Sequence, residues 1–535
     1  MKPSKKKLLE QQKMQKTFAK WIESLGSLLV LGVFIIQPLF VSDLNNVYAN
    51  ITASKLFCFV GILSVSVFLL LIVMILKAVY ASDSIFIPSP EGFKGVLRAV
   101  RPYEWAVIAY WLVMLVSTLL SNNRYAALIG TSARNEGLLM MTAYLAAVLV
   151  AGRVYRPKSR HFGALSAVAC LVSGYGILQY YDIDPLYFSP DAWNFGPRMV
   201  FISTMSNRNM LSTYLAIVFC IAAVLFAQGA KRSRWGYLAV GMITFYMLAL
   251  GQTESGYLGL LVAFLFIFPF IAKNRIAAGG LLLYLSTCPL LIWVSLRMNI
   301  VIVNKGQGWS VPFWQPFDKY TLPLFFALLA AAMILLFVKK LPVIPQKFYR
   351  IGWCSLVVLM VVVVLVSVPR IAAVSDYATI EELNQILQGN LDDRFGSWRG
   401  FIWKRAVTLI PERPLFGYGP DNFAIAFNEV FHEESGLVTN QIYDKAHNEY
   451  IQQLVDNGII GLIAFLAFFA VIIFSARKHA KNPPVLALIM AAVCFLGQAF
   501  FNFSTPFAHP VTWVLWGVLA GYPFLPENQN AKAVE

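Results

Sequence analysis

The sequence predicts an all-α integral membrane protein of about fourteen transmembrane helices with one large extracytoplasmic helical loop. Three observations carry that expectation. The 535 residues are 58% hydrophobic and only 13% charged, against about 25% charged in soluble domains, and mean hydropathy is +0.65. Apolar runs of about 20 residues, enough to cross about 30 Å of hydrocarbon, recur from end to end. Lys and Arg alternate between successive connectors, as the positive-inside bias requires.

The elements follow in order. A basic head (Lys2, Lys5, Lys6, Lys7, Lys13, Lys16, Lys20) places residues 1–24 in the cytoplasm. The first apolar run follows with no small-residue cleavage site and reads as a retained helix rather than a signal peptide. Residues 25–369 read as spans 1–11, centred near 32, 67, 112, 145, 171, 219, 243, 263, 286, 329 and 360. Residues 370–449 form the extracytoplasmic loop, 450–524 spans 12–14 (near 463, 494 and 518), and 525–535 a cytoplasmic tail. Connectors 78–103, 153–161, 229–235, 273–276, 339–350 and 477–484 each carry at least two Lys or Arg. Both termini therefore fall on the cytoplasmic side of the inner or plasma membrane, with membrane lipid as an obligatory partner.

Charge placement also argues against nucleic acid. The net charge is +16, but it lies in the head and short connectors, where topology and anionic lipid account for it. The loop from Arg370 to Glu449 holds 7 basic and 12 acidic residues, a net −5 against +21 for the rest of the chain. All six cysteines lie inside apolar runs with no close pair, which excludes a zinc site or disulfide framework built on local spacing. The histidines His161, His432, His479 and His509 share no metal-ligand spacing with His447, so neither a metal nor another cofactor is expected.

The acidic loop concentrates the residues suited to chemistry. Residues 398–410 read as a helix on which Arg399, Trp403, Ala406 and Ile410 share the packing face, opposite Lys404, Arg405 and Thr408. Arg399 then either binds an anion, its planar fork matching phosphate oxygens, or pairs with a loop carboxylate such as Asp392 or Asp393. His447 begins the helix that enters the membrane, and Glu449, Gln452, Gln453 and Asp456 form a polar stripe on it. A helix N-terminus disfavours imidazolium, leaving His447 a neutral proton acceptor or an interfacial packing residue. Arg134, Arg198 and Arg208 lie outside near helix ends, against the topology bias; each either snorkels to lipid phosphate or joins Arg399 in an anion site.

These segments together resemble the O-antigen ligase and polymerase superfamily of membrane glycosyltransferases. The most specific likeness is His447 followed, with ten residues between, by Gly458 in AHNEYIQQLVDNGIIGLIAFL. GSWRGFIWKRAVTLIPERPLFGYGPDNF resembles the family's arginine, tryptophan and Pro-Leu-Gly-x-Gly-Pro block. Arg134 with Leu138, and SNRNMLSTYLA, are similar to two further family patterns. The likeness spans most of residues 100–475. It implies transfer of a glycan from an undecaprenyl-diphosphate-linked donor to an acceptor hydroxyl on a glycolipid, glycan or protein, outside the cytoplasmic membrane and without metal or nucleotide. By that resemblance Arg134, Arg208 and Arg399, with Arg198 beside them, hold the diphosphate, and His447 is the base. One departure is Thr253-Glu254-Ser255-Gly256, where an arginine is expected near position 256; a short outer turn is the simpler reading of Glu254. The competing expectation is a transporter or flippase for a lipid-linked glycan, disfavoured by the scarcity of mid-membrane charge.

Overall fold

The computed structural model describes residues 5–42, 47–81, 95, 98–131, 134–181, 183, 202–205, 207–229, 232–304, 312–338, 346–373 and 378–525. All regular structure among them is helical. In chain order the helices are α1 (Lys5–Leu31), α2 (Val47–Ala81), α3 (Pro102–Leu120), α4 (Arg124–Ile129), α5 (Leu138–Val154), α6 (Ser159–Tyr180), α7 (Arg208–Gln228), α8 (Arg234–Gly251) and α9 (Glu254–Ile271). There follow α10 (Arg275–Asn304), α11 (Asp318–Phe337), α12 (Gln346–Ala372), α13 (Ala378–Leu387), α14 (Phe395–Leu409), α15 (Phe423–Val438), α16 (Glu449–Ala476), α17 (Pro483–Gln498) and α18 (His509–Gly521).

Among the described residues ten helices are long and apolar enough to cross a membrane, against about fourteen expected from sequence. Each expected centre does fall in a helix. Two, however, are the shorter apolar helices Leu138–Val154 and Pro483–Gln498. A third, α8 (Arg234–Gly251), is not among the ten either, and the fourth, α18, has 13 residues, about 20 Å at 1.5 Å per residue, too short to span alone. A run of about 20 residues centred near 518 extends past the helix into the Tyr522–Phe524 turn and beyond.

Burial sorts helices that composition leaves alike. α7 is apolar on every face and packs against α8, α9, α10 and α17 at the centre of the bundle, the expected place for an all-round hydrophobic helix. α12 is equally apolar, yet Val361, Val362, Val363 and Val364 are all exposed, a surface suited to lipid. At the other end of the chain α1 runs through a π-helical turn, Gly32–Ile36, into Gln37–Leu39. The Lys55 ammonium, buried in α2, donates to the carbonyls of Gln37 (2.8 Å) and Pro38 (2.9 Å), capping the last orphan acceptors of that helix. Gln37 Nε2 in turn donates to Pro506 O (3.0 Å), tying this corner to segment 499–508.

The feature that positions the site is a break in α16. Gly458 adopts φ 69°, ψ −173°, a region open essentially to glycine alone. Residues 414–419 lie against the break: Ile459 N donates to Pro414 O (2.8 Å), Tyr418 N to Val455 O (2.9 Å) and Gly419 N to Asp456 O (2.8 Å). Ser117 Oγ on α3 closes the joint by donating to the carbonyls of Phe416 (2.6 Å) and Asp456 (2.9 Å). A Cβ on Gly458 would run into the Leu415 carbonyl, and one on Gly417 into the carbonyls of Val455 and Asp456. The Pro-Leu-Phe-Gly-Tyr-Gly run is thus a backbone splint for an interrupted membrane helix.

Gly458→Ala is expected to lower the thermal midpoint of the detergent-solubilised protein markedly, the backbone strain alone being worth about 1–3 kcal/mol. Gly163→Ala, in the interior of α6 where a Cβ meets nothing within 4 Å, is the control. It should leave the midpoint unchanged or raise it, alanine being favoured by up to about 1 kcal/mol in a helix.

Candidate functional site

Arg399 is aimed by a turn that sequence periodicity could not reveal. Residues 396–398 are not right-handed helix: Gly396, Ser397 and Trp398 have φ of 57°, 60° and 74°. This left-handed turn folds the Gly396 carbonyl back to accept from Arg399 Nη1 at 3.0 Å. The same nitrogen pairs with Glu254 Oε2 at 3.1 Å, so the carboxylate partner is Glu254 on α9 and not Asp392 or Asp393. Asp393 instead holds Lys404 (2.9 Å) and Arg405 (3.0 Å) on the opposite helix face. Arg399 is only 6% exposed, and its Nε has no hydrogen-bond partner among the described residues. A buried guanidinium N–H left open is costly unless something fills it.

His447 precedes α16 rather than beginning it. Asn448 is the N-cap, its side chain accepting from Tyr450 N (2.9 Å) and Ile451 N (3.1 Å), and His447 sits at φ 51°. The imidazole lies edge-on to Phe503, ring centroids 4.8 Å apart. Burial, then the positive charges of Arg399, Arg134 and Lys445, pull its pKa down to about 4 against the opposing pull of Asp444. The ring is neutral as expected, but desolvation is the largest cause, not a helix terminus.

Segment 499–508 supplies the wall that sequence analysis overlooked. Phe503 lies beneath the Arg134 guanidinium at 5.3 Å as well as beside His447. Phe501 lies 5.5 Å from the Arg399 guanidinium and stacks on Trp403, while Trp403 Nε1 donates to Ala446 O at 2.9 Å. Two cation–π contacts and one aromatic wall thus draw Arg134, Arg399 and His447 together. Arg208, first residue of α7, joins through Glu254, whose charge acts on both arginines. Arg198 lies outside the described residues. The polar interruptions Asn502, Ser504 and Thr505 in an otherwise apolar run were the available signal for this segment.

Beneath the site lies a charged hub. Lys445 Nζ pairs with Asp421 Oδ1 at 2.6 Å and lies 4.0 Å from Glu136 Oε2, with all three side chains at most 4% exposed. Asp421 Oδ2 accepts from Thr131 N (2.7 Å) and Glu136 N (3.1 Å), holding the loop that carries Arg134. Asp421 N donates to Asp456 Oδ2 (3.2 Å), and Arg134 Nε pairs with Asp444 at 2.7 Å. The polar stripe Glu449, Gln452, Gln453 and Asp456 is buried and belongs to this hub. Burial works against the Lys445 ammonium, yet Asp421, Glu136 and Asp456 outweigh it and push its pKa up. Burial, helped by Asp421 and Glu449 against Lys445, pushes Glu136 up to about 8, so it carries its proton at neutral pH. A cavity of about 30 Å³ beside the hub has room for water only. Among the described residues no three His, Cys, Asp or Glu side chains are placed to hold a metal ion.

The fold and site define a multi-pass helical membrane protein whose buried arginine faces an aromatic-walled recess beside a neutral histidine. Residues 322–466, which hold Arg399, the splint, Lys445, His447 and Gly458, match the family model described as O-Antigen ligase. Over 126 residues the chain is 28% identical to an uncharacterized protein of Haemophilus influenzae. That stretch is 24% of this chain and spans 29% of the relative's length.

Lys445→Met strands a buried Asp421 and is expected to destabilise the protein by about 3–5 kcal/mol. Adding Asp421→Asn should recover part of the loss, and unfolding midpoints of both single variants and the double variant measure the coupling.

Proposed function

We propose that the protein is a membrane glycosyltransferase that moves, or polymerises, a glycan from an undecaprenyl-diphosphate-linked donor to an acceptor hydroxyl at the extracytoplasmic face. The observation that carries this reading is the Arg399 guanidinium, buried and with its Nε unpartnered. Such a donor fork suits the oxygens of a diphosphate. Arg134 and Arg208 stand on neighbouring elements to take the remaining charge, and Arg198 is assigned with them from the sequence alone.

The chemistry then divides between the arginines and the histidine. The acceptor oxygen attacks the anomeric carbon, its bond to the phosphate oxygen breaks, and the lipid diphosphate leaves with the electron pair. The arginines stabilise that departing charge, the larger effect in a site shielded from water. His447, neutral because it is buried beside Arg399 and Arg134, takes the acceptor proton. An imidazolium between two guanidiniums is unfavourable before the donor binds. A bound diphosphate offsets their charge, so the histidine becomes a better base once the donor is in place.

Transport of the lipid-linked glycan is the second reading, and one observation favours it: α16 is broken at Gly458 and flanked by buried ionisable groups. Against it, those groups are engaged with one another, and the cavity beside them is water-sized. Purified protein supplied with lipid-diphosphate-linked donor and a panel of acceptors separates the readings. Transfer supports the enzyme; donor crossing a bilayer without transfer supports the transporter.

In the transfer assay Arg399→Ala should lower the rate about 10²–10³-fold, with Arg399→Lys a poor substitute because it lacks the fork. His447→Ala should lower it about 10²–10⁴-fold. The wild-type kcat/KM profile should be level near neutrality and fall in acid as His447 protonates towards its pKa of about 4, since the neutral ring is the active form. A neutral-pH optimum that survives His447→Ala with full rate would remove the base assignment.

A further inference from the structure

Glu254 stands where the proposed chemistry has no use for a negative charge. It is the first residue of α9, in the Thr253-Glu254-Ser255-Gly256 turn, and its carboxylate pairs with Arg399 at 3.1 Å. The two partners differ sharply in freedom, the Arg399 side chain being 8% exposed and that of Glu254 46%. The arginine is fixed by the left-handed turn at Gly396 and by Phe501, whereas the glutamate reaches it from the open side. Glu254 is also the charge acting on Arg208. Glu382 on α13 lies on the same side, accepting from Gly396 N at 3.4 Å.

Two carboxylates therefore offset most of the charge of three arginines, leaving a net +1 among these five groups. Glu254 faces Arg399 and Arg208, and Asp444 faces Arg134. A diphosphate oxygen that reaches the open Nε comes up beside the Glu254 carboxylate already on Nη1, and two anions on one guanidinium repel each other. The exposed Glu254 carboxylate can swing to water provided a diphosphate oxygen takes its place, so that the buried guanidinium is not left unpaired.

We propose that Glu254 is a displaceable counter-ion for Arg399, which holds the fork before the lipid-linked donor binds and is exchanged for a diphosphate oxygen when it does. Glu254 thereby sets the affinity for the diphosphate class of ligand and selects against weaker anions, such as a single carboxylate, that bring too little charge to displace it. It acts through Arg399 and is a positioning residue. The inference rests on the diphosphate reading of Arg399.

Calorimetric titration of the full-length, detergent-solubilised protein with inorganic pyrophosphate tests it without requiring turnover. Glu254→Gln keeps the size and the hydrogen bond but removes the competing charge. It should tighten pyrophosphate binding roughly tenfold, the equivalent of about 1.4 kcal/mol, while Arg399→Ala abolishes it. Glu254→Asp keeps the charge and shortens its reach by one methylene, and should tighten binding by less, which keeps the test open if glutamine disturbs the turn. Wild-type affinity in both Glu254 variants, with binding still lost in Arg399→Ala, overturns the inference and leaves the anion site standing. Weaker binding in both makes Glu254 part of the cradle, and overturns it equally. Pyrophosphate that fails to bind the wild type and both Glu254 variants, or binding that ignores Arg399→Ala, removes the diphosphate reading and the inference with it.

Discussion

The site depends on a membrane helix that is interrupted and repaired. A lipid-exposed break would leave backbone groups unpaired at several kcal/mol each, so broken helices survive in bilayers only where protein covers them. At Gly458 the cover is residues 414–419, whose carbonyls and amides replace the bonds the helix has lost. The approach is close enough that Gly417 and Gly458 each lack room for a Cβ. Once the splint is seated, the next residues follow by connectivity: Asp421 reaches Asp456, Lys445 and the loop of Arg134. The half of α16 before the break can then carry a polar face, because that face is turned into the hub rather than towards lipid.

Charge is buried in two different ways within a short distance. In the hub, Lys445 meets the carboxylates of Glu136, Asp421, Glu449 and Asp456, more acid than one ammonium can neutralise. The upward shift of Glu136 to about 8 shows part of the answer, a carboxyl that keeps its proton and is held by Tyr144 Oη at 3.0 Å. Such a cluster is closed, and removing one member leaves the others uncompensated. The arginine site above it has a buried Nε that none of the described residues satisfies and a partner carboxylate facing solvent. The first arrangement holds a geometry; the second is ready to exchange one anion for another.

Much of this was legible in the sequence, and the losses have physical causes. The helical membrane class followed from apolar run length; Arg399 and His447 were singled out by their setting in the polar segment, and Gly458 by the family resemblance. The span count did not follow, because α18 is buried inside protein and its apolar neighbours extended the run without extending the helix. The left-handed turn at Gly396–Trp398 was invisible, since Ser397 and Trp398 have no sequence preference for it. Glu254 was read as a turn residue because its partner lies 145 positions away, beyond the reach of any periodicity. Phe501 and Phe503 were passed over for the same reason: aromatic residues in an apolar run look like core until the residues opposite them are known. Lys445 stood in plain view inside DKAHNEY, yet its burial between two acids depends on loops from three parts of the chain.

A functional group on a loop is held less tightly than one on a helix or strand, and here Arg134 and His447 both lie on loops. What fixes them is that each loop is pinned by more than one polar contact. The Arg134 loop is held by Asp421 and by Asp444. The His447 segment is held by Lys445 below, by Trp403 through Ala446 O, and by the Asn448 cap. Segment 499–508 is anchored through Glu449, which accepts from Ser504 N at 2.8 Å, and through Gln37, which reaches Pro506. Phe501 and Phe503 are therefore placed by the first helix of the chain as much as by the last. The recess is assembled from elements near residues 37, 134, 208, 254, 399, 447 and 503, so no contiguous part of the sequence contains it. The splint at Gly458 and the hub at Lys445 are what bring those distant parts to one place.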